Sequence, residues 1–223
     1  MLRDAVLVAG KDLRIELRSR IALQQVGPFG VLVLVLFAFA LDPDRGVLTR
    51  AAPGLFWVAV LFSALLAVQR SLAVESAEGV RDAVRLSGLD PAGIFLGKAA
   101  AVAVQLLVLE VVLGIGVVLL YDVHVVGVWT LLGAALSATA GLAAAGSLYG
   151  ALAAGLRVRE TLLPLLLLPV VAPVLIAATR ASESALTGTS FEVSAGDWLG
   201  LLAVFAVLYI AFGLVAYGPL LED

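Results

Sequence analysis

Residues 74–91 read VESAEGVRDAVRLSGLDP, and the reading of this stretch against its flanks decides the fold. Four acids (Glu75, Glu78, Asp82, Asp90) and two arginines (Arg81, Arg85) fall inside it, while long apolar runs lie on both sides. The spacing is helical. Val80, Ala83 and Val84 fall near one side with Leu86 beside them, and Glu78–Arg81 and Asp82–Arg85 are i,i+3 pairs, each worth roughly 0.2–0.5 kcal/mol. Ser87-Gly88 suits a helix stop, and Asp90-Pro91 suits the cap and first position of the next helix. The segment therefore predicts a short charged helix between two hydrophobic segments. It serves either as a contact surface for another protein or as a solvated loop helix.

The flanks extend through the whole chain. Of 223 residues, 62% are hydrophobic and 14% charged, with a mean hydropathy of +1.12. Soluble domains carry about 25% charged residues, so this composition excludes an ordinary soluble domain. Six apolar segments are each long enough for a membrane helix, which needs about 20 residues. Ile21–Leu41 and Ala51–Val68 are uncharged; Ile94–Leu120 is interrupted only by Lys98 and Glu110. Val125–Leu156 is uncharged for 32 residues, longer than a bilayer needs, and its span is placed at 127–156. Thr161–Thr179 and Trp198–Leu221 complete the set, the last spanning about 198–219. The runs are continuous rather than alternating, so they predict helices and not a barrel. The expectation is an all-α, polytopic membrane protein, with residues 1–20 as an amphipathic interfacial helix and residues 21–221 as a six-span domain.

Lysine and arginine set the orientation. Arg3, Lys11, Arg14, Arg18 and Arg20 precede the first span. Arg70, Arg81, Arg85 and Lys98 surround the second connection, and Arg157 and Arg159 lie between spans four and five. Only Arg45, Arg50 and Arg180 fall on the other side. Both termini and the charged helix are thus expected in the cytoplasm, with the protein in the inner membrane. Ala38-Phe39-Ala40 offers a signal-peptidase pattern, but about 20 residues of mixed charge precede that apolar run, unlike a short basic leader. An uncleaved first span is the better reading.

The opening segment MLRDAVLVAGKDLRIELRSR places Leu2, Val6, Ala9, Leu13 and Leu17 on one helical stripe. Arg3, Asp4, Lys11, Asp12, Arg14, Glu16, Arg18 and Arg20 fall on the polar face, which suits a helix lying in the membrane surface. Span five carries Pro164, Pro169 and Pro173. Each interior proline removes a backbone hydrogen bond, so this span is expected to be a kinked or locally broken helix, acting as a hinge or as a static packing device. Span four is rich in small residues: Gly133, Ser137, Gly141, Gly146, Gly150 and Gly155. Gly146/Gly150 and Gly93/Gly97 form G-x-x-x-G pairs that favour close helix approach within the chain over a subunit interface.

Glu110 is the one acid in a span interior, twelve residues beyond Lys98 and hence about 18 Å deeper. An intramembrane carboxylate is a functional candidate by default, or it is protonated and hydrogen-bonded to a neighbour such as the Ser/Thr-bearing fourth span. His124, the single histidine, sits in the outer connection YDVHVV and reads either as loop chemistry or as a transient haem or metal ligand. The absence of cysteine removes disulfides, thiolate metal sites, iron–sulfur clusters and C-x-x-C-H haem attachment. No metal site is expected, and a net charge of −3 gives no reason to expect nucleic acid. GIFLGKA at 93–99 has three residues between its glycines and no following Ser/Thr, so it is not a phosphate loop. With no nucleophile–base pair either, the chain is expected to be non-catalytic.

These features together resemble the membrane half of an ABC-2-type transporter. The progression Glu78-Gly79, then Leu86-Ser87-Gly88-Leu89-Asp90-Pro91, then Gly97-Lys98 carries the likeness. The opening KDLRIELRSR and the segment LPLLLLPVVAPVLIAATRA at 163–181 narrow it to the cytochrome c maturation permease (CcmB, haem exporter protein B) family. SGLDP at 87–91 departs from the shorter turn of many relatives, which leaves the docking register open.

The resemblance implies a permease subunit in c-type cytochrome maturation, concerned with haem delivery or with release of a haem-loaded chaperone. Its partners would be a cytoplasmic ABC ATPase, a haem-handling membrane protein and a haem chaperone. It would act as a homodimer or as one of two paired six-span subunits. Glu75, Glu78, Gly79, Arg81, Asp82 and Arg85 would form the ATPase-docking surface. No cofactor is expected to be stably bound; ATP would act through the partner, and haem is a possible cargo. An ABC-2 exporter of a drug or lipid, and a non-transport membrane scaffold, are the alternatives.

Overall fold

The structure is a computed structural model that describes residues 1–19, 26–41, 45–75, 88–154, 159–187 and 194–222. The described residues form seven α-helices: α1 (Leu2–Ser19), α2 (Gly27–Leu41), α3 (Arg45–Glu75), α4 (Pro91–Tyr121), α5 (Val128–Ala154), α6 (Arg159–Thr187) and α7 (Ala195–Glu222). A helix satisfies its own backbone polar groups, which is the condition for crossing hydrocarbon. Five of the seven, α3 to α7, are long and apolar enough to cross a membrane. The chain is a multi-pass α-helical protein. Helix α2 is apolar but has only 15 described residues, about 22 Å of rise against a core of about 30 Å. Residues 21–25 of the first expected span, Ile21–Leu41, lie outside the described residues.

Several helices run past their uncharged segments. Helix α3 continues to Glu75 and α6 to Thr187, beyond Arg180, whose guanidinium pairs with Glu183 at 2.9 Å. The prolines Pro164, Pro169 and Pro173 all lie inside the single helix α6. Pro169 and Pro173 face outward, whereas Leu163, Leu167, Val171 and Val174 are buried against the bundle. The donors that proline lacks are thereby removed from the outer side of the helix rather than from its packed side.

Helices α3 and α5 form the middle of the bundle; α3 packs on α2, α4, α5 and α6, and α5 packs on α3, α4, α6 and α7. Trp57, Leu113, Leu142, Leu167, Val171 and Leu202 meet in the main core. Its close packing depends on small residues. Ala134, Ala138, Ala144 and Ala145 of α5 are fully buried. A β-carbon on Gly146 would stand 2.7 Å from a Val68 methyl of α3, and one on Gly141 would stand 2.9 Å from the Phe205 ring of α7. At Gly213 of α7 the Phe95 ring occupies the space a side chain would need. Dispersion contacts replace the hydrophobic effect as the packing force in lipid, so these approaches matter.

Two buried polar bonds fix the lateral order of helices. The Trp57 indole donates to Ser182 Oγ at 2.9 Å, joining α3 to α6, and the Tyr121 hydroxyl donates to the Leu34 carbonyl at 2.9 Å, joining α4 to α2. At that end of the bundle the 122–127 connection folds onto α6, with the Val126 and Gly127 amides both donating to the Ala185 carbonyl. Helix α1, Arg70, Lys98 and Tyr217 gather at the opposite end.

The glycine contacts predict a contrast within α4. A β-carbon at Gly97 would lie 2.6 Å from Val8 Cβ and 2.7 Å from the Ala5 carbonyl oxygen of α1, whereas one at Gly114 meets nothing within 4 Å. Gly97→Ala is expected to destabilise the protein by about 1–3 kcal/mol, and Gly114→Ala to be neutral or mildly stabilising. Thermal unfolding in detergent checks this; equal shifts for the two would contradict the packing.

Candidate functional site

The charged end of the bundle is built around α1. This helix runs beside the first half of α4, its early residues against Gly93 and its middle against Gly97. The first G-x-x-x-G pair is therefore filled by α1 of the same chain. At Gly93 the near neighbours are the Met1 carbonyl and Asp4 Cβ; at Gly97 they are Val8 and the Ala5 carbonyl.

This contact turns Ala5, Val8, Asp12 and Glu16 toward the bundle. Val8 is buried, and the Asp12 and Glu16 side chains are 13% and 12% exposed. Carboxylates leave water at a cost of several kcal/mol unless a partner and hydrogen bonds compensate them. Asp12 Oδ1 pairs with Lys11 Nζ of α1 itself at 3.0 Å, while its Oδ2 accepts no hydrogen bond among the described residues, and further cations come from two other helices. Lys98 Nζ of α4, itself 6% exposed, lies 3.7 Å from Asp12 Oδ2, and Arg70 Nε of α3 donates to Glu16 Oε2 at 2.8 Å. Leu2, Val6 and Leu17 point the other way, 71–73% exposed, so the apolar stripe of α1 faces outward from the bundle.

The two ends of the charged connection meet the same helix. Helix α3 ends at Glu75, whose side chain lies outside the described residues, as do Glu78, Gly79, Arg81, Asp82 and Arg85 altogether. On the far side Gly88 has φ +67°, a backbone that glycine adopts without strain. The Asp90 carboxylate caps α4 by accepting the Ala92 amide at 3.0 Å, with Pro91 at the first turn. The Asp90 amide in turn donates to Asp4 Oδ2 at 3.4 Å. The Met1 amine lies 3.2 Å from Asp4 Oδ2 and 3.4 Å from Asp90 Oδ2, and its hydrogen bond holds the Asp4 carboxyl below its ordinary value. Helix α1 thus touches the start of α4 through Asp4 and the last turns of α3 through Glu16, bracketing residues 76–87.

Deeper in the bundle Glu110 is 5% exposed on α4. The Thr139 hydroxyl of α5 donates to Glu110 Oε1, and Oε2 has no hydrogen-bond partner among the described residues. His124 is exposed in the 122–127 connection. No group of three or more His, Cys, Asp or Glu that could hold a metal occurs among the described residues. The inward turn of Asp12 and Glu16 is what the sequence reading did not single out. Its signal was an acid pair at i,i+4, on the same helix side as Ala5 and Val8, within an otherwise basic segment.

Comparison with known proteins covers almost the whole of this arrangement. The family model described as CcmB protein matches residues 3–219. The chain is 31% identical over 201 residues to "Heme exporter protein B" of Haemophilus influenzae (strain ATCC 51907 / DSM 11121 / KW20 / Rd), covering 88% of this chain and 87% of that one. It is 28% identical over 207 residues to the Bradyrhizobium diazoefficiens protein of the same name, covering 91% and 90%. Against the Pseudomonas aeruginosa protein, also so named, identity is 28% over 212 residues and 94% of both chains. The match takes in α1, both flanks of the charged connection and all the long apolar helices, and the chain belongs to the CcmB protein family.

Proposed function

We propose that this chain is the membrane permease subunit of an ABC transporter complex acting in c-type cytochrome maturation, coupling ATP hydrolysis by a separate subunit to haem delivery or to release of a haem-loaded chaperone. The observation that carries the proposal is the family match over residues 3–219, joined to relatives named for haem export that align over nearly their full length. In this reading α2, with residues 21–26 ahead of it, is the first of six spans. Both termini and the 76–87 connection face the cytoplasm, and the membrane is the inner one. The positive-inside distribution supports that orientation, since Arg70, Lys98 and the basic residues of α1 gather at one end of the bundle.

The chain's own part is mechanical. Glu75, Glu78, Gly79, Arg81, Asp82 and Arg85 present a charged surface to a cytoplasmic ATPase. A push on that connection reaches α3 at Glu75 and α4 at Pro91, and α1 ties those two helices together through Glu16–Arg70 and Asp12–Lys98. The three helix ends then move as one body against α5, α6 and α7. Pro164, Pro169 and Pro173 make α6 the helix most easily bent in response. A haem-handling membrane protein and a haem chaperone complete the complex, with a second six-span subunit or a second copy of this chain beside it. Glu110 joins α4 to α5 through Thr139 in a structural role.

Deletion of the gene followed by a haem stain for c-type cytochromes is expected to show loss of the holo-proteins; normal levels would remove the proposal. Reversing charge at Glu78 and Asp82 together is expected to abolish co-purification of the ATPase while the chain still inserts, and unchanged co-purification would move the docking surface elsewhere. Glu110→Gln keeps an acceptor for Thr139 and is expected to retain cytochrome maturation, whereas Glu110→Leu removes it and lowers the unfolding temperature. Loss of maturation in a stable Glu110→Gln protein would give the carboxyl a chemical role.

A further inference from the structure

The bundle holds a half-open cavity of about 390 Å³ bounded by α2, α3, α4 and the end of α1. Its size lies within the range of about 300–1,000 Å³ usual for small-molecule sites. Its chemistry is graded along its length. At the α1 end stand the Glu16–Arg70 ion pair and Gln105; beyond them the walls are Val31 of α2 and Leu106, Leu109 and Val112 of α4. The gradient has the same direction on both long helices. Going away from the charged end, α3 passes from Arg70 to Ser63 and α4 from Gln105 to Val112, each about 10 Å of rise. The Ser63 hydroxyl is turned to the Ala59 carbonyl at 2.7 Å, so it adds little polarity to the deep part.

The cavity opens sideways. Val108 and Val112, which line it, are 60% and 44% exposed, on a face of α4 directed away from α5. A second, water-sized pocket of about 20 Å³ adjoins it and shares Glu16, Ala67, Arg70 and Gln105 with it. The ion pair therefore lines both a small pocket of mixed lining and a larger apolar one. This order of ion pair and then apolar slot along a membrane-spanning helix is that of a lipid lying in its leaflet.

We propose that this cavity is a phospholipid site, in which the headgroup of a zwitterionic lipid such as phosphatidylethanolamine meets Glu16–Arg70 and one acyl chain enters the slot between α2 and α4. The charges are complementary in pairs: the lipid ammonium meets the carboxylate and the phosphate meets the guanidinium, each a charge-assisted hydrogen bond. An anionic lipid would match Arg70 but would set its phosphate against Glu16 without an ammonium to balance it. Haem fits poorly, since none of the described lining residues is a His, Met or Tyr able to hold its iron, and the single arginine faces two propionates. Apolar contact along the chain supplies the affinity, and the ion pair supplies the selectivity.

The test uses the full chain reconstituted in vesicles of equal parts phosphatidylethanolamine and phosphatidylglycerol, extracted in mild detergent and washed, with the retained phospholipid identified by native mass spectrometry. The wild type is expected to retain phosphatidylethanolamine in preference to phosphatidylglycerol. Ala67→Trp, which fills the slot near the ion pair, and Val112→Phe, which fills its far end, are each expected to retain about tenfold less. Val204→Trp on the exposed face of α7 adds the same bulk elsewhere and should retain the wild-type amount. Circular dichroism and unfolding temperature establish that each variant is folded. Absence of retained lipid in the wild type, equal retention of the two lipids, or unchanged retention in folded Ala67→Trp and Val112→Phe would overturn the proposal. So would stoichiometric binding of added haemin that these two variants abolish.

Discussion

The organisation of the charged end depends on one constraint: the Glu16 carboxylate of α1, 12% exposed, needs a cation where it meets the bundle. An uncompensated buried carboxylate costs several kcal/mol, so α1 docks where a cation meets Glu16, Asp12 already having Lys11 of its own helix at 3.0 Å. Arg70 of α3 fulfils that condition, and Lys98 of α4 comes within 3.7 Å of Asp12, so the two contacts lie on opposite sides of the charged connection. Pairing both at once fixes where α1 lies along α4, and that register sets Val8 over Gly97 and Asp4 beside Asp90. The glycines answer the same need. With any side chain at Gly93 or Gly97, α1 would stand too far off for Asp12 to reach Lys98.

A chain of contacts follows from that docking. The start of α4, fixed by its Asp90 cap and by α1, carries Phe95, whose ring rests on Gly213 of α7 and lies 5.5 Å from the Tyr217 ring. The end of α3, held at Arg70, carries Val68 against Gly146 of α5. Helices α1, α3 and α4 are therefore joined to each other by charge and to the rest of the bundle by close apolar packing. Charge pairs are specific and break one at a time, whereas glycine-mediated contacts tolerate small sliding. That difference is what a bundle needs if a push at one end is to move several helices together.

Much of this was legible from residue order. Uncharged runs of 18 or more residues announce helices in a membrane, because about 20 residues cross it and a continuous apolar run lacks the alternation of a barrel strand. Asp90-Pro91 marked the start of α4, and the two G-x-x-x-G pairs marked places of close approach. Helix ends were less legible. The uncharged run ends at Thr179, whereas α6 continues to Thr187 through Arg180 and Glu183, which pair one turn apart. The side of α1 that meets the bundle was hidden for a related reason. Its acids share a surface with its arginines in any helical projection, and only the tertiary partners Lys98 and Arg70 draw those acids inward. Thr139, the donor to Glu110, was one of several hydroxyls on its span, and no local pattern separates it from Ser137.

A charge-swap cycle at Glu16 and Arg70 tests the central claim most directly. The measured quantity is the unfolding temperature of the purified protein with Glu16→Arg, Arg70→Glu, and both changes together. If the pair holds α1 to α3, each single change sets like charges against each other and lowers the transition, and the double change recovers most of that loss. A double variant that loses the sum of the two single effects would show that the residues do not depend on each other, and the clasp described here would not exist.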